Sequence, residues 1–280
     1  GMNPEFLREG NAVEDFMNPD RIVFGHEDSK TLEYLKDIYS PWDVDKIIVN
    51  TRSAEMIKYV NNSLLATQIS TVNEYSNIAK TIGNIDFNSV MNAVHLDKRW
   101  SPFDKKTGKR VSPEIINYLK PGCGFGGSCF PKDVMALAAL SKEIGIKPLI
   151  LDSVIKVNQL QPKVILEYLE EKVGSLKNKN VLVLGLAFKP ETDDVRESVS
   201  LKLIKYLNEK KCNITAHDPI SINNAKKIIN FELNFVNNWV EELTNNDIII
   251  ISTNWDEYRR LKNLDKILKD KVLFDTRSLF

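Results

Sequence analysis

Cys129 is the residue of this 280-residue chain best placed to do chemistry, and it lies in the segment KPGCGFGGSCFPKD at residues 120–133. Two glycines precede it, and Pro131 follows, a residue type favoured in the first turn of a helix. At a helix start the free backbone N–H groups, together with Lys132, favour a thiolate over a thiol. Asp133, four residues on, would lie on the same turn and hold a water molecule. The pattern indicates a nucleophile, with a small buried hydrophobic cysteine as the alternative.

The same segment offers a second chemistry, because Gly122, Gly124 and Gly127 fit the Gly-x-Gly-x-x-Gly spacing of dinucleotide-binding loops. Such a loop needs a strand before it and an acidic residue about 20 positions later. The residues before it are NYLKP, which do not form a strand pattern. A later apolar run, VLVLG, ends at Gly185, where one glycine stands in place of three. We therefore expect neither place to bind a pyrophosphate.

The composition excludes several classes of partner. Lys plus Arg (38) balance Asp plus Glu (38), so no net charge favours a nucleic acid or an anionic membrane surface. The longest apolar runs are far shorter than the roughly 20 residues that cross a bilayer, and no secretion signal is present. The three cysteines and three histidines do not fall at zinc-binding spacings. We expect a cytoplasmic protein with no metal.

Cys129 must be positioned by a helical region. Residues 41–149 are predicted to form this central domain, in which apolar residues recur every three or four positions from 51 to 83. A helix of that length would be about 45 Å long, which suits a dimer interface between helical domains. A connecting helix is predicted at residues 150–175, and Pro162 should kink or split it.

The flanking segments contain strands. Residues 1–40 contain one apolar strand, RIVFG, and a helix, and are predicted to be the last β-α step of a domain that begins before the chain. Residues 176–280 alternate apolar strands with helices, which indicates a parallel sheet covered on both faces. The predicted fold class is α/β: a central all-helical dimerisation domain followed by a Rossmann-like parallel-sheet domain, with a short β-α remnant at the N-terminus.

Four stretches resemble the nucleotide-sugar 6-dehydrogenases, nearest to the UDP-glucose 6-dehydrogenases. They are GFGGSCFPKD (124–133), NPEFLREGNAVEDFMNPDRIVFG (3–25), EMIKYVNNSLLATQIS (55–70) and VLVLGLAFKPETDDVRES (181–198). The resemblance covers essentially the whole chain. It implies oxidation of C6 of a sugar nucleotide from alcohol to carboxylate in two NAD-dependent steps through a cysteine thioester. The motifs favour UDP-glucose, while GDP-mannose and a UDP-N-acetylhexosamine remain open.

The resemblance also implies roles for individual residues. Cys129 would be the nucleophile, Lys58 and Asn62 would stabilise the oxyanion at C6, Asp133 would orient water or assist proton transfer, and Glu5 would be the general base of hydrolysis. The positions matching substrate contacts are Glu5, Phe6, Leu7, Arg8, Glu9, Lys58, Asn62, Arg110, Tyr118, Lys120, Gly124, Phe125, Gly126, Phe188, Lys189 and Arg277. Lys132 and Arg196 match NAD contacts. Arg110 is a substitute, since Pro113 falls where the family donates an arginine across the dimer.

An N-terminal NAD-binding domain with its own Gly-x-Gly-x-x-Gly is part of what the resemblance implies, and this chain begins after it. We therefore expect a homodimer that binds a UDP-sugar but is inactive unless a separate NAD-binding domain is supplied in trans. Two alternatives remain open. One is a dimeric UDP-sugar-binding module without catalysis, and the other is a redox-sensing pair of Cys123 and Cys129, although the cytoplasm disfavours a disulfide.

Overall fold

The computed structural model describes residues 1–280, which divide into two compact units, residues 1–64 and residues 65–280. The helices are α1 (Ala12–Met17), α2 (Ser29–Ile38), α3 (Thr51–Ile82), α4 (Phe87–His95), α5 (Phe130–Glu143), α6 (Leu149–Val173), α7 (Val199–Glu209), α8 (Ile222–Ile228), α9 (Trp239–Glu242) and α10 (Asp265–Leu268). The strands are β1 (Ile22–Gly25), β2 (Lys46–Val49), β3 (Asn180–Leu184), β4 (Asn213–His217), β5 (Asn234–Phe235), β6 (Ile248–Ile251) and β7 (Val272–Asp275). None of the helices combines the length and the apolar character that crossing a membrane requires.

The first unit contains a two-stranded parallel sheet. β1 is buried along its whole length, and it pairs with β2 so that Ile22 lies opposite Lys46 and Gly25 opposite Val49. β1 is the one strand predicted in residues 1–40, but β2 lies in residues 41–149, so the expectation that this region is all-helical was wrong. β2 is only four residues long, and Ile47 and Ile48 are exposed, so it lacks the apolar-polar alternation that predicts a half-buried strand.

α3 confirms the long helix predicted at residues 51–83. Its 32 residues correspond to about 48 Å. The helix begins in the first unit, continues into the second, and stops at Gly83, whose positive φ of 79° ends the helical path.

α6 runs as one helix of 25 residues with Pro162 inside it, so of the kink or split predicted there, the split is wrong. Pro162 removes one backbone donor, but both halves of the helix are anchored by packing. Val154 belongs to a small core with Ala66 and Val134, and Leu166 belongs to the main core of the sheet domain. Burial on both sides of the proline offsets the missing hydrogen bond.

The second unit contains a five-stranded parallel sheet with the order β5-β4-β3-β6-β7, which confirms the predicted parallel-sheet domain. β6, with the sequence IIII, is buried throughout because one apolar core covers each face of the sheet. The chain leaves β3 towards β4 on one side and reaches β6 on the other. Parallel sheets bind ligands beyond the carboxyl ends of their strands at such a reversal of order.

Candidate active site

Cys129 is exposed and occupies the N-cap position of α5, with Pro131 in the first turn, as the sequence predicted. Its carbonyl oxygen accepts the N–H of Asp133 at 2.9 Å, so the helix begins directly after the thiol. Its Sγ lies 3.7 Å from the Oγ of Ser128. The alternative of a buried hydrophobic cysteine is wrong for this residue, and the thiol is accessible to a reactant.

Asp133 is buried beneath this helix start. Its Oδ1 accepts a hydrogen bond from the Nζ of Lys132 at 2.6 Å, while the lysine side chain itself is mostly exposed. The ammonium of Lys132 therefore pairs with a carboxylate of its own turn. A charge-assisted contact of this kind fixes the carboxylate one helical turn from the thiol.

The glycines before Cys129 allow a close approach of the segment 188–197. The N–H of Gly127 donates to the carbonyl oxygen of Arg196 at 3.0 Å. A Cβ on Gly127 would lie 2.7 Å from the ring of Phe188, and a Cβ on Gly126 would meet the carbonyl oxygen of Glu197. Gly127 also has a positive φ of 80°, which side chains other than glycine rarely adopt. The glycines thus serve backbone packing, and a 3-10 helix, rather than the strand that a dinucleotide loop requires, precedes them.

Arg277 connects the loop to the sheet domain. Its Nε donates to the carbonyl oxygen of Ser252 at 2.7 Å, and its Nη1 donates to that of Gly124 at 2.9 Å. The remaining nitrogen, Nη2, is buried and has no hydrogen-bond partner in the chain. Buried guanidinium groups are rarely left with an unsatisfied donor, and such a donor beside a loop suits an anionic group such as a diphosphate.

The turn after β3, where a Rossmann-type domain would bind a pyrophosphate, is filled by the protein itself. The Oδ2 of the buried Asp218 accepts the N–H of Leu186 at 2.7 Å, the N–H of Ala187 at 3.1 Å and the indole N–H of Trp255 at 3.1 Å. A carboxylate therefore occupies the backbone donors that would otherwise face a phosphate.

Gly185, in the same turn, lies directly against Thr253, which leaves no space beside it for a phosphate. A Cβ added there would meet the side chain of Thr253 and lie 2.6 Å from its backbone nitrogen. Arg196, one of the two candidate NAD contacts, donates from Nε to both carboxylate oxygens of Asp194, at 2.9 and 3.0 Å. The turn after β3 therefore does not form a cradle that fits NAD.

His217, the last residue of β4, forms a polar pair with Tyr258. The Nδ1 of His217 lies 3.0 Å from the hydroxyl oxygen of Tyr258, and both residues are buried. Burial lowers the pKa of His217 and raises the pKa of Tyr258. Both side chains are consequently neutral at pH 7, which suits a structural hydrogen bond rather than acid-base chemistry.

In the first unit, Glu5 and Lys58 come together from positions 53 residues apart. The Nζ of Lys58 donates to the Oε1 of Glu5 at 2.9 Å and to its carbonyl oxygen at 2.6 Å, and lies 5.7 Å from the ring centre of Phe6. Asn62 is buried one turn further along α3. Leu7 donates its N–H to Glu5, and Arg8 pairs with Asp15 next to Glu9.

The other predicted contacts lie in different settings. Arg110 donates from Nη1 to the carbonyl oxygens of Leu96 at 2.7 Å and Ser101 at 2.8 Å, so its guanidinium braces its own loop. Tyr118 ends a short 3-10 helix that runs from Glu114. Lys120 is exposed, and Lys189 places its Nζ 5.7 Å from the ring centre of Phe188.

Sequence reasoning missed three buried polar residues that contact the loop, Asn73, Asn158 and Gln161, and a fourth, Asp218, that fills the turn after β3. Asn158 and Gln161 follow Val154 at helical spacings of four and seven residues, so they share its buried stripe. A polar side chain on an apolar stripe is the signal that could have identified them, because buried polar groups require specific partners.

The fold is a mixed α/β architecture with a helical domain and parallel sheets, and it superimposes on a solved UDP-glucose dehydrogenase from Pyrobaculum islandicum. That comparison has a TM-score of 0.87 and 38% sequence identity, and covers 99% of this chain and 60% of the other. Residues 52–160 match the UDP-glucose/GDP-mannose dehydrogenase family, central domain, residues 182–280 its UDP binding domain, and residues 1–43 its NAD binding domain. The chain belongs to the UDP-glucose/GDP-mannose dehydrogenase family.

Curated relatives agree with this assignment. UDP-glucose 6-dehydrogenase TuaD of Bacillus subtilis (strain 168) is 37% identical over 280 residues, with 99% of this chain and 58% of the relative covered. UDP-glucose 6-dehydrogenase of Rickettsia conorii (strain ATCC VR-613 / Malish 7) is 38% identical over 282 residues, with 99% and 62% covered. The chain thus spans about 60% of the length of these relatives.

Proposed function

We propose that this chain is the part of a UDP-glucose 6-dehydrogenase that binds the sugar nucleotide and supplies the nucleophile for oxidation to UDP-glucuronate. The observation that carries the proposal is the exposed thiol of Cys129 at the start of α5, following a glycine loop that other parts of the chain hold in place. The relatives named UDP-glucose 6-dehydrogenase support this substrate over GDP-mannose and the UDP-N-acetylhexosamines.

The covalent chemistry follows from the thiol. The thiolate of Cys129 adds to the C6 aldehyde to give a thiohemiacetal, which keeps the aldehyde from escaping. Loss of hydride from C6 then gives a thioester, and attack of water expels the thiolate and releases the carboxylate. NAD, when bound, supplies the acceptor for the hydride lost in each of the two oxidations. Two hydrides amount to four electrons, the difference between an alcohol and a carboxylate.

Charged and amide side chains would assist the individual steps of this reaction. Asp133 would orient the attacking water, since its carboxylate is fixed one turn from the thiol. Lys58 and Asn62 would stabilise the oxyanion at C6, and Glu5, in contact with Lys58, would act as base during hydrolysis. The free nitrogen of Arg277 would meet the diphosphate.

A direct test uses the purified 280-residue chain with UDP-glucose and NAD+. We expect calorimetry to detect binding of UDP-glucose, and spectrophotometry at the NADH band to detect no turnover, because the turn after β3 is filled by Asp218 and Thr253. Addition of a separately expressed NAD-binding domain from a relative should restore NADH production. Robust NADH production by the chain alone would contradict the proposal, as would the absence of UDP-glucose binding.

The partner chain is proposed to be a second copy, bound through a groove between α3 and α6. The groove has a volume of about 440 Å³, and its apolar lining includes Ile78, Ile82 and Leu160, all of which are exposed. Exposed apolar side chains grouped on two helices form the kind of surface that a second copy could cover.

A matched pair of variants tests whether the chain forms a dimer through this groove. Ile78→Glu, in the groove, should give a particle of 32.0 kDa in light scattering, whereas the unaltered chain should give twice that mass. Ile228→Glu on α8 is the control, because Ile228 is 54% exposed and Ile78 is 51% exposed. A monomeric unaltered chain, or equal loss of the dimer in both variants, would argue against this interface.

A further inference from the structure

Three buried amide side chains hold the first part of the thiol loop. The N–H of Gly122 donates to the Oδ1 of Asn73 at 2.8 Å, and its carbonyl oxygen accepts from the Nε2 of Gln161 at 2.9 Å. Three residues on, the N–H of Phe125 donates to the Oδ1 of Asn158 at 2.8 Å, and its carbonyl oxygen accepts from the Nδ2 of the same side chain at 2.9 Å. Side chains therefore satisfy the whole backbone polarity of two loop residues.

Amides are chemically suited to this task. A buried loop must find partners for its N–H and C=O groups, since each unpaired group costs free energy. A neutral amide offers a donor and an acceptor in one plane, as a peptide group does, whereas a carboxylate offers only acceptors. Asn73, Asn158 and Gln161 are 1%, 7% and 3% exposed, so water does not compete for these bonds. Asn158 thus pairs with the N–H and the carbonyl oxygen of Phe125 as the backbone of a neighbouring strand would.

The fit leaves no spare room. A Cβ on Gly124 would lie 2.5 Å from the Oδ1 of Asn158, so the amide lies directly against the loop backbone. The carbonyl oxygen of Gly124 bonds instead to Arg277. The ring of Phe125 packs with Val134 of α5 and Val154 of α6. Asn158 and this small core therefore fix the loop four residues before Cys129, while α5 fixes the thiol from the other side.

We propose that Asn158 is a positioning residue, which together with Asn73 and Gln161 sets the backbone shape of residues 122–125 that receives a nucleoside diphosphate sugar and presents Cys129. This inference rests on the proposed function for the identity of the ligand. The reactivity of the thiol does not depend on that identity, so the two ideas can fail separately.

Asn158→Asp tests the proposal with a side chain of the same shape. It keeps the acceptor for the N–H of Phe125 but turns a carboxylate oxygen towards the carbonyl oxygen of Phe125, which displaces the loop. In the 280-residue chain we expect the Kd for UDP-glucose to rise by about tenfold or more, as a displaced contact of this type implies. The rate of Cys129 alkylation by iodoacetamide at fixed pH should change severalfold, and UDP-glucose should no longer protect the thiol.

Asn246→Asp is the matched control. Asn246 is 3% exposed and donates from Nδ2 to the carbonyl oxygen of Glu242 at 2.9 Å, so the variant loses an equivalent buried bond away from the loop. Its thermal stability should fall while its Kd and alkylation rate stay as in the unaltered chain. Where Asn158→Asp does not fold, Gln161→Glu removes the donor to Gly122 in the same manner and takes its place.

Two results would overturn the inference: an Asn158→Asp protein with unaltered Kd and alkylation rate, or a control with equal changes in both. If the unaltered chain does not bind UDP-glucose, the proposed function fails. The alkylation rates of the variant and control then decide the positioning role by themselves.

Discussion

Iodoacetamide at neutral pH will label Cys129 before either of the other cysteines. Burial raises the pKa of Cys212 to about 11, and its thiol donates to the carbonyl oxygen of Leu176 at 3.3 Å. The rise of about two units lowers its thiolate fraction, and so its labelling rate, about a hundredfold relative to an ordinary small-molecule thiol. Cys123 is fully buried, and its sulfur accepts from Thr276. Mass spectrometry of tryptic peptides at short times measures the three rates.

Cys129→Ala supplies the control, since it should abolish the fast phase and leave the two slow ones. Early label on Cys212 or Cys123 would mean that the exposed thiol is not the reactive one. The same experiment addresses the redox alternative. All three cysteines are free, and the burial of Cys123 against the exposure of Cys129 does not favour a pair that responds to oxidants.

Gly185→Ala will destabilise the sheet domain by about 2–6 kcal/mol. A positive φ of 98° already strains any side chain, and the added Cβ would press on the backbone nitrogen of Thr253 at 2.6 Å. The two effects, conformational strain and overpacking, each contribute about 1–3 kcal/mol. Urea unfolding followed by tryptophan fluorescence reports on this region, because Trp239 and Trp255 are buried in its core.

Gly145→Ala separates the two contributions. Gly145 has a similar φ of 81°, but a Cβ there meets nothing within 4 Å. Only the strain remains, so a loss of about 1–2 kcal/mol is expected. Equal losses in the two variants would show that the turn after β3 is not closely packed against Thr253.

The sequence predicted most elements because their patterns are long or complete. The apolar repeat of α3, the all-apolar strands of the sheet and the helix start after Cys129 are local signals that tertiary packing reinforced. β2 was not predicted, because its four residues, two of them exposed isoleucines, show no clear alternation of apolar and polar side chains. The continuity of α6 was not predicted, because the effect of a proline was judged from Pro162 alone. The packing of Val154 and Leu166 on either side of it is known only from the folded chain.

The sequence predicted which residue types form the candidate site, but it did not predict the residues that hold them in place. Cys129 and Asp133 are neighbours in sequence, so one helical turn fixes their separation. The contacts of Asn158 with Phe125 and of Asp218 with Leu186 join residues more than 30 positions apart. Such pairings depend on the folded chain, and no local spacing encodes them.

α6 has a consequence for the cooperativity of unfolding. Its first half contributes Val154 to the core beside the thiol loop, and its second half contributes Leu166 and Leu169 to the core of the sheet domain. Melting the helix would expose both cores at once, and residues 65–280 form one compact unit although the two family matches stop at 160 and resume at 182. Heat should therefore disrupt this unit in a single transition, and the two matched segments would share one melting temperature.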